Sequence, residues 1–366
     1  MASAISNSYM GVYMKTFKLH LSAILAIVLL VPALANAAEK SKPVVQLIAT
    51  GGTIAMKIDP ATKAPVPAIS GEDLVAIAPD IAELARIEVK NISRVASCEM
   101  SPERWVALQK EVEAALKREE VAGVIISHGT DTLEETAYFI DLAVKSDKPV
   151  VLIGAQRNAS ESDFDGPRNL RNAVRICVSP EAKNKGAMVV LNGRINAARD
   201  VTKTHTWDVE TFKSGDIGEL GVADIDRVLF YRAPLRRQHV PLTMNELPRI
   251  DIIYIYGGAS GDLIKAAVER GAKGIVLAAL GWGNISSAAY EVVKEVIKGG
   301  TPVVVSTRCW NGRVQPHYGY PGGGKTLQDA GAVFADDLSP QKARLLLMLA
   351  MQTTKEQGKL QEYFDK

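Results

Sequence analysis

An excess of charge of either sign is missing from this 366-residue chain, in which 43 lysines and arginines stand against 41 aspartates and glutamates. That balance argues against a nucleic-acid partner, which a basic footprint would announce. Cysteine is scarce as well: Cys98, Cys177 and Cys309 are too few for a disulfide framework in a chain of this length. They leave either one bridge with a spare thiol or three unpaired cysteines, mostly buried as small hydrophobes. The five histidines show no metal-ligand spacing, so neither a metal nor a cofactor is expected, and His128 is expected to hydrogen-bond within its own turn. Long-period repeats and low-complexity segments are absent too.

What is present begins with a leader. Met14-Lys15-Thr16-Phe17-Lys18 is a short basic region, and the apolar core Leu21 to Leu34 ends in the A-x-A pattern Ala35-Asn36-Ala37. The core is too short for a comfortable transmembrane helix, so residues 1–37 read as a secretory signal peptide, initiated at Met14 and cut after Ala37. An uncleaved N-terminal anchor is the alternative. The mature chain is then periplasmic or secreted, without stable membrane association.

At roughly 150 residues per domain the length suggests two domains. Val44-Val45-Gln46-Leu47-Ile48, Gly123 to Ser127, Pro149 to Ile153 and Ala187 to Leu191 are apolar runs of the length of buried parallel strands. Glu103 to Lys117 and Glu134 to Val144 lie between them with helical spacing of apolar residues. This alternation predicts an α/β protein: a larger, doubly wound N-terminal α/β domain over 38–233, a linker over 234–247 and a smaller C-terminal α/β domain over 248–366. Its second series runs from Ile250–Tyr256 through Gly274–Leu280 and Val303–Ser306 to a last helix, Pro340 to Gln352. Residues 56–71 hold three prolines and little periodicity, which predicts a loop and a candidate lid. Ser214 to Leu247 predicts a short hairpin before the linker, with Arg232, Arg236 and Arg237 as a solvated connection.

Three stretches could carry chemistry. Thr53 follows paired glycines at the end of the first strand, the edge where ligands bind in open α/β sheets, although a plain strand-to-loop turn looks the same. Ser127-His128-Gly129-Thr130-Asp131-Thr132 ends another apolar strand and opens a helix, with Thr132 and Glu135 at capping-box spacing, so Thr130 and Asp131 either face the same crevice or merely cap the helix. Lys203 matters only if it folds back onto Thr130 and Asp131, because a lone lysine is ordinarily a surface group. A hydroxyl, a carboxylate and an ammonium together can move a proton and activate a nucleophile. Gly319 to Thr326 matches a phosphate-loop pattern, but the polar run before it and Gly331 after it deny the required strand and long helix.

Thr50-Gly51-Gly52-Thr53-Ile54-Ala55, His128 to Ala137 and Arg199-Asp200-Val201-Thr202-Lys203-Thr204 resemble, in order and spacing, the signature segments of bacterial L-asparaginases of the exported type II class. Asp165 to Leu170, Thr211-Phe212-Lys213 and Pro340-Gln341-Lys342-Ala343-Arg344 extend the likeness from about Pro43 to the last of the expected helices. The resemblance implies hydrolysis of L-asparagine through a threonine acyl-enzyme. Thr53 would be the nucleophile and Thr130, Asp131 and Lys203 the supporting triad. Gly52, Ser97, Cys98, Thr130, Asp131 and Ala155 would line the substrate, with Asp131 on the α-ammonium and Ser97 on the α-carboxylate. It also implies a homotetramer with sites between subunits. The sequence departs from the family in three places. Ala64-Pro65-Val66-Pro67 stands where many members carry a lid tyrosine, and Cys98 replaces a glutamine or glutamate. The asparagine and glutamate that the C-terminal domain lends to a neighbouring subunit have no match in Tyr256 to Ser260 or Tyr318 to Gly324. Two further readings stay open: a glutaminase-asparaginase that also takes L-glutamine, and a periplasmic amino-acid-binding protein without turnover.

Overall fold

The computed structural model describes residues 42–366, so the leader assigned to residues 1–37 lies outside the described residues. Within Val44–Lys366 the chain builds two main sheets and two two-stranded ribbons. The larger has eight strands in the order Val228–Phe230, Gly221–Ala223, Arg194–Ala197, Ala187–Leu191, Val150–Ile153, Val121–Ser127, Val44–Gly51 and Arg86–Val95. From Ala187–Leu191 to Arg86–Val95 all neighbours are parallel; the other three strands extend the sheet antiparallel.

The strand order explains where a site can form. From Val44–Gly51 the chain moves out to Arg86–Val95 on one side, then crosses to Val121–Ser127 on the other. A crevice therefore opens beyond the carboxyl ends of Val44–Gly51 and Val121–Ser127, where the winding reverses.

Both faces of this sheet are covered, which is why its central strands are apolar throughout. Val44, Ile48, Val124 and Ile126 pack on one face with helices Pro102–Leu116 and Leu133–Ala143. Val45, Leu47 and Ile125 pack on the other with Gly71–Ala76 and Gly166–Cys177. The smaller, all-parallel sheet runs Ile250–Tyr254, Gly274–Ala279, Val303–Thr307 and Val333–Phe334. Helix Pro340–Ala350 lies between this sheet and Leu133–Ala143, so that Leu345, Leu346 and Leu349 join Val276 and Val304 to the core of the larger sheet.

Several expectations are corrected. Residues 56–71 are not structureless: Met56–Ile58 and Pro65–Pro67 pair as an exposed two-stranded ribbon, an edge setting where a proline without an N–H is tolerated. Pro340–Ala350 is not the last helix, because Gln357–Phe364 follows and buries Leu360 and Phe364. The basic cluster is a set of ties rather than a solvated connection. Arg236 pairs with Asp336 at 2.6 Å and Asp337 at 2.8 Å, and Arg237 with Asp141 at 3.2 Å. All three cysteines are free, yet only Cys177 is buried; Cys98, within the 3₁₀ turn Ser97–Glu99, and Cys309, beyond strand Val303–Thr307, are exposed. The phosphate-loop pattern Gly319–Thr326 has the context expected of it: it follows a loop, not a strand, and runs into the seven-residue helix Gly324–Ala330 that Gly331 ends.

Candidate active site

Paired glycines shape the end of the first strand. Gly51 and Gly52 have φ of +115° and +83°, a region that L side chains rarely adopt. Contact adds to this requirement: a Cβ on Gly51 would lie 2.4 Å from Val95 O, and one on Gly52 would lie 2.1 Å from Gly129 N. Thr50 Oγ1 donates to Ser127 O at 2.9 Å, and Ser93 Oγ donates to Thr50 O at 2.8 Å, clamping the strand end from both neighbours. The chain then makes one 3₁₀ turn, Thr53–Ala55, which buries Ile54 and leaves Thr53 half-buried. The Thr53 hydroxyl has no hydrogen-bond partner among the described residues.

A relay of buried groups holds the second segment. Trp105 Nε1 donates to Thr136 Oγ1 at 2.9 Å, and the Thr136 hydroxyl lies 2.9 Å from His128 Nε2. A carbonyl oxygen only accepts, so His128 Nδ1 carries the ring proton and donates to Gly129 O at 2.7 Å, which leaves Nε2 of the neutral ring to accept from the Thr136 hydroxyl. Burial pushes the imidazole pKa down to about 4, so His128 is a neutral strut of the turn.

Ser97 ties this segment to the turn Ser97–Glu99. Its Oγ accepts from Asp131 N at 3.2 Å, and its carbonyl accepts from Thr132 Oγ1 at 2.7 Å. That second bond corrects the capping-box expectation: with its hydroxyl engaged by Ser97, Thr132 caps nothing. Glu135 faces Arg344 at 3.8 Å instead, and burial raises its carboxyl pKa to about 7.

Lys203 folds back onto the same place. It lies in the two-residue strand Thr202–Lys203, paired with Phe212–Lys213, and its Nζ donates to Thr130 Oγ1 at 2.9 Å and to Asp131 Oδ1 at 2.7 Å. Thr130 is buried and the Lys203 side chain is 17% exposed, whereas the Asp131 side chain is 68% exposed. An ammonium is thus shielded behind a carboxylate that remains open to solvent.

The remaining expected residues fall around this cluster. Ala155 is fully buried one residue beyond Gly154, where a Cβ would meet Thr130 Cγ2 at 3.0 Å. Gly52 touches the cluster through Gly129, bringing Thr53 alongside, and Cys98 is exposed next to Ser97. A cavity of about 680 Å³ between the two sheets has Lys203 and Lys342 on its wall, but not Thr53, Thr130 or Asp131. The segments that carry the resemblance include Thr136 and Lys342 without a role for either, and Trp105 lies outside them. Trp105 and Thr136 are 31 residues apart, so no local spacing announces the pair.

Residues 44–236 match the family model for the asparaginase N-terminal domain, and residues 249–364 match the glutaminase/asparaginase C-terminal domain. The chain is 40% identical to L-asparaginase 2 of Bacillus subtilis over 90% of this chain and 88% of that protein. It is 38% identical to L-asparaginase 2 of Escherichia coli over 90% of this chain and 95% of that protein. A crystal structure of the probable cytoplasmic L-asparaginase from Campylobacter jejuni superimposes with a TM-score of 0.81 at 41% identity, covering 89% of this chain and all of the other.

Proposed function

This chain belongs to the asparaginase family and is an amidohydrolase acting on L-asparagine, and from that premise we propose that Thr53 is its nucleophile. Thr53 Oγ attacks the side-chain amide carbon as its proton passes to Thr130 Oγ1, the Thr130 proton passes to Lys203 Nζ, and a Lys203 proton passes to the Asp131 carboxylate, the base of the cluster. The tetrahedral intermediate collapses as the C–N bond breaks, and the cluster's proton leaves with ammonia. Water then attacks the Thr53 ester, releasing L-aspartate and restoring the hydroxyl. Asp131 holds the α-ammonium with its exposed carboxylate. Ser97, whose Oγ only accepts within the protein, has its proton available for the α-carboxylate. Backbone groups near Thr130 and Ala155 line the oxyanion, where fixed dipoles stabilise developing charge.

The observation that carries this reading is Lys203 Nζ bridging Thr130 Oγ1 at 2.9 Å and Asp131 Oδ1 at 2.7 Å. Ammonia release from L-asparagine and, separately, from L-glutamine by the wild type and Thr53→Ala tests it. Turnover of asparagine that disappears in Thr53→Ala is expected; undiminished turnover there would remove Thr53 from the mechanism. Binding of either amide without ammonia would instead favour a binding protein.

We further propose that residues 1–37 export the chain and that it acts as a homotetramer. The leader composition supports the first, and the exposed aromatics Trp282, Tyr318 and Tyr320 beside the smaller sheet support the second. Amino-terminal sequencing of the exported protein and sedimentation of the active species test them. A chain beginning at Met14, or full activity in a monomer, would overturn the respective proposal.

A further inference from the structure

Lys342 is a buried ammonium to which the mechanism above gives no part. It lies in the first turn of helix Pro340–Ala350, is 3% exposed, and its Nζ donates to Arg199 O at 2.8 Å and to Val201 O. Those carbonyls belong to the turn that closes on Ala197 O through Asp200 N and Val201 N, each at 3.1 Å, and Lys203 follows two residues later. An ammonium withdrawn from water is expensive unless its donors are used, and burial moves this one down to about pH 8.

The same helix turn also reaches the other catalytic segment. Gln341 Nε2 lies 3.4 Å from Glu134 Oε1, and Arg344 faces Glu135 while its Nε donates to Ile250 O at 3.0 Å. Glu134 Oε2 is buried without a hydrogen-bond partner, and Glu134 lies three residues beyond Asp131. The charged groups around Lys342 are Glu134, Asp200, Asp337 and Arg199, from three stretches of chain that meet at this point.

We propose that Lys342 is a positioning residue for Lys203: by fixing both carbonyls of the 199–201 turn, it sets the point from which Lys203 reaches Thr130 and Asp131. This rests on the catalytic reading of Lys203 given above. A helix of the smaller lobe thereby determines the geometry of a cluster carried by the larger one. Lys342 touches none of the reacting groups itself, so its contribution is to kcat through Lys203.

The test is Lys342→Met, which keeps length and apolar bulk but removes the donors. Two readouts are taken at a temperature where circular dichroism shows the variant folded. One is kcat for L-asparagine. The other is the rate at which acetic anhydride labels Lys203, measured by mass spectrometry against the exposed, remote Lys265. The expected result is a kcat at least tenfold lower together with Lys203 labelling at least threefold faster, Lys265 being unchanged. Unchanged Lys203 labelling in the folded variant would overturn the proposal, whatever its kcat. Should the methionine variant not fold, Lys342→Gln, whose shorter amide cannot span both carbonyls, takes its place. Wild-type kcat and labelling in that variant would overturn the proposal equally. If the wild type released no ammonia, the catalytic reading would fall while the labelling comparison would still decide the tie.

Discussion

Gly52 and Gly129 meet with no space for a side chain between them: a Cβ on Gly52 would lie 2.1 Å from both N and Cα of Gly129. This backbone contact brings the turn holding Thr53 against the segment holding Thr130 and Asp131. Any atom added here pushes Thr53 away from Thr130 and Asp131.

Gly52→Ala is therefore expected to destabilise the protein by at least about 2 kcal/mol, from φ of +83° and the clash together, and to abolish ammonia release. Chemical denaturation and an ammonia assay check it. A folded, active variant would show that this contact is not needed to seat Thr53.

Lys203→Met leaves Thr130 buried and Asp131 exposed but removes both charge-assisted bonds. A loss of kcat of at least ~100-fold is expected, the range of a positioned proton-transfer group. Steady-state kinetics decide it, and a loss below tenfold would remove Lys203 from the proton path.

Stability should depend on pH through two buried groups of opposite sign. His128 has a folded pKa near 4, below its ordinary 6.5, so its contribution is full above pH 6.5 and is lost as pH falls towards 4. Glu135, raised from 4.5 to about 7, contributes fully below pH 4.5 and loses that contribution as pH rises through 7. At ~1.4 kcal/mol per pKa unit each is worth about 3 kcal/mol, so in the wild type they largely offset. Glu135→Gln removes one of them, and urea unfolding of that variant is expected to weaken by about 2 kcal/mol between pH 6.5 and 4.5, against a much smaller change in the wild type. Equal slopes in the two proteins would contradict a Glu135 carboxyl raised by burial, and a Glu135→Gln variant that keeps its stability over this range would contradict a neutral, buried His128.

Native thiol titration is expected to count two groups, the exposed Cys98 and Cys309, with Cys177 reacting only after denaturation because burial raises its pKa and shuts out the reagent. Three rapid thiols would place Cys177 at the surface.

Much of the architecture was legible in the residues themselves. Parallel strands covered on both faces leave unbroken apolar runs, as in Val121–Ser127 and Gly274–Ala279, and helices covered on one side leave a 3.6-residue rhythm. Paired glycines before Thr53 likewise declare a bend without needing a partner, since their backbone freedom is local. The pairing of Pro65–Pro67 with Met56–Ile58 was hidden because proline-rich strands lack the usual signature.

Contacts between distant stretches left no such mark. Lys203 meets Thr130 across 73 residues and Lys342 meets Arg199 across 143, and no periodicity encodes a separation of that size. Thr132 offered capping spacing, yet Ser97, 35 residues away, took its hydroxyl. Local patterns are written by a chain's nearest neighbours, so strands, helices and turns follow from residue order. Which ammonium reaches which hydroxyl follows only from burial, when the close packing of two sheets and one shared helix leaves each polar group few partners within reach.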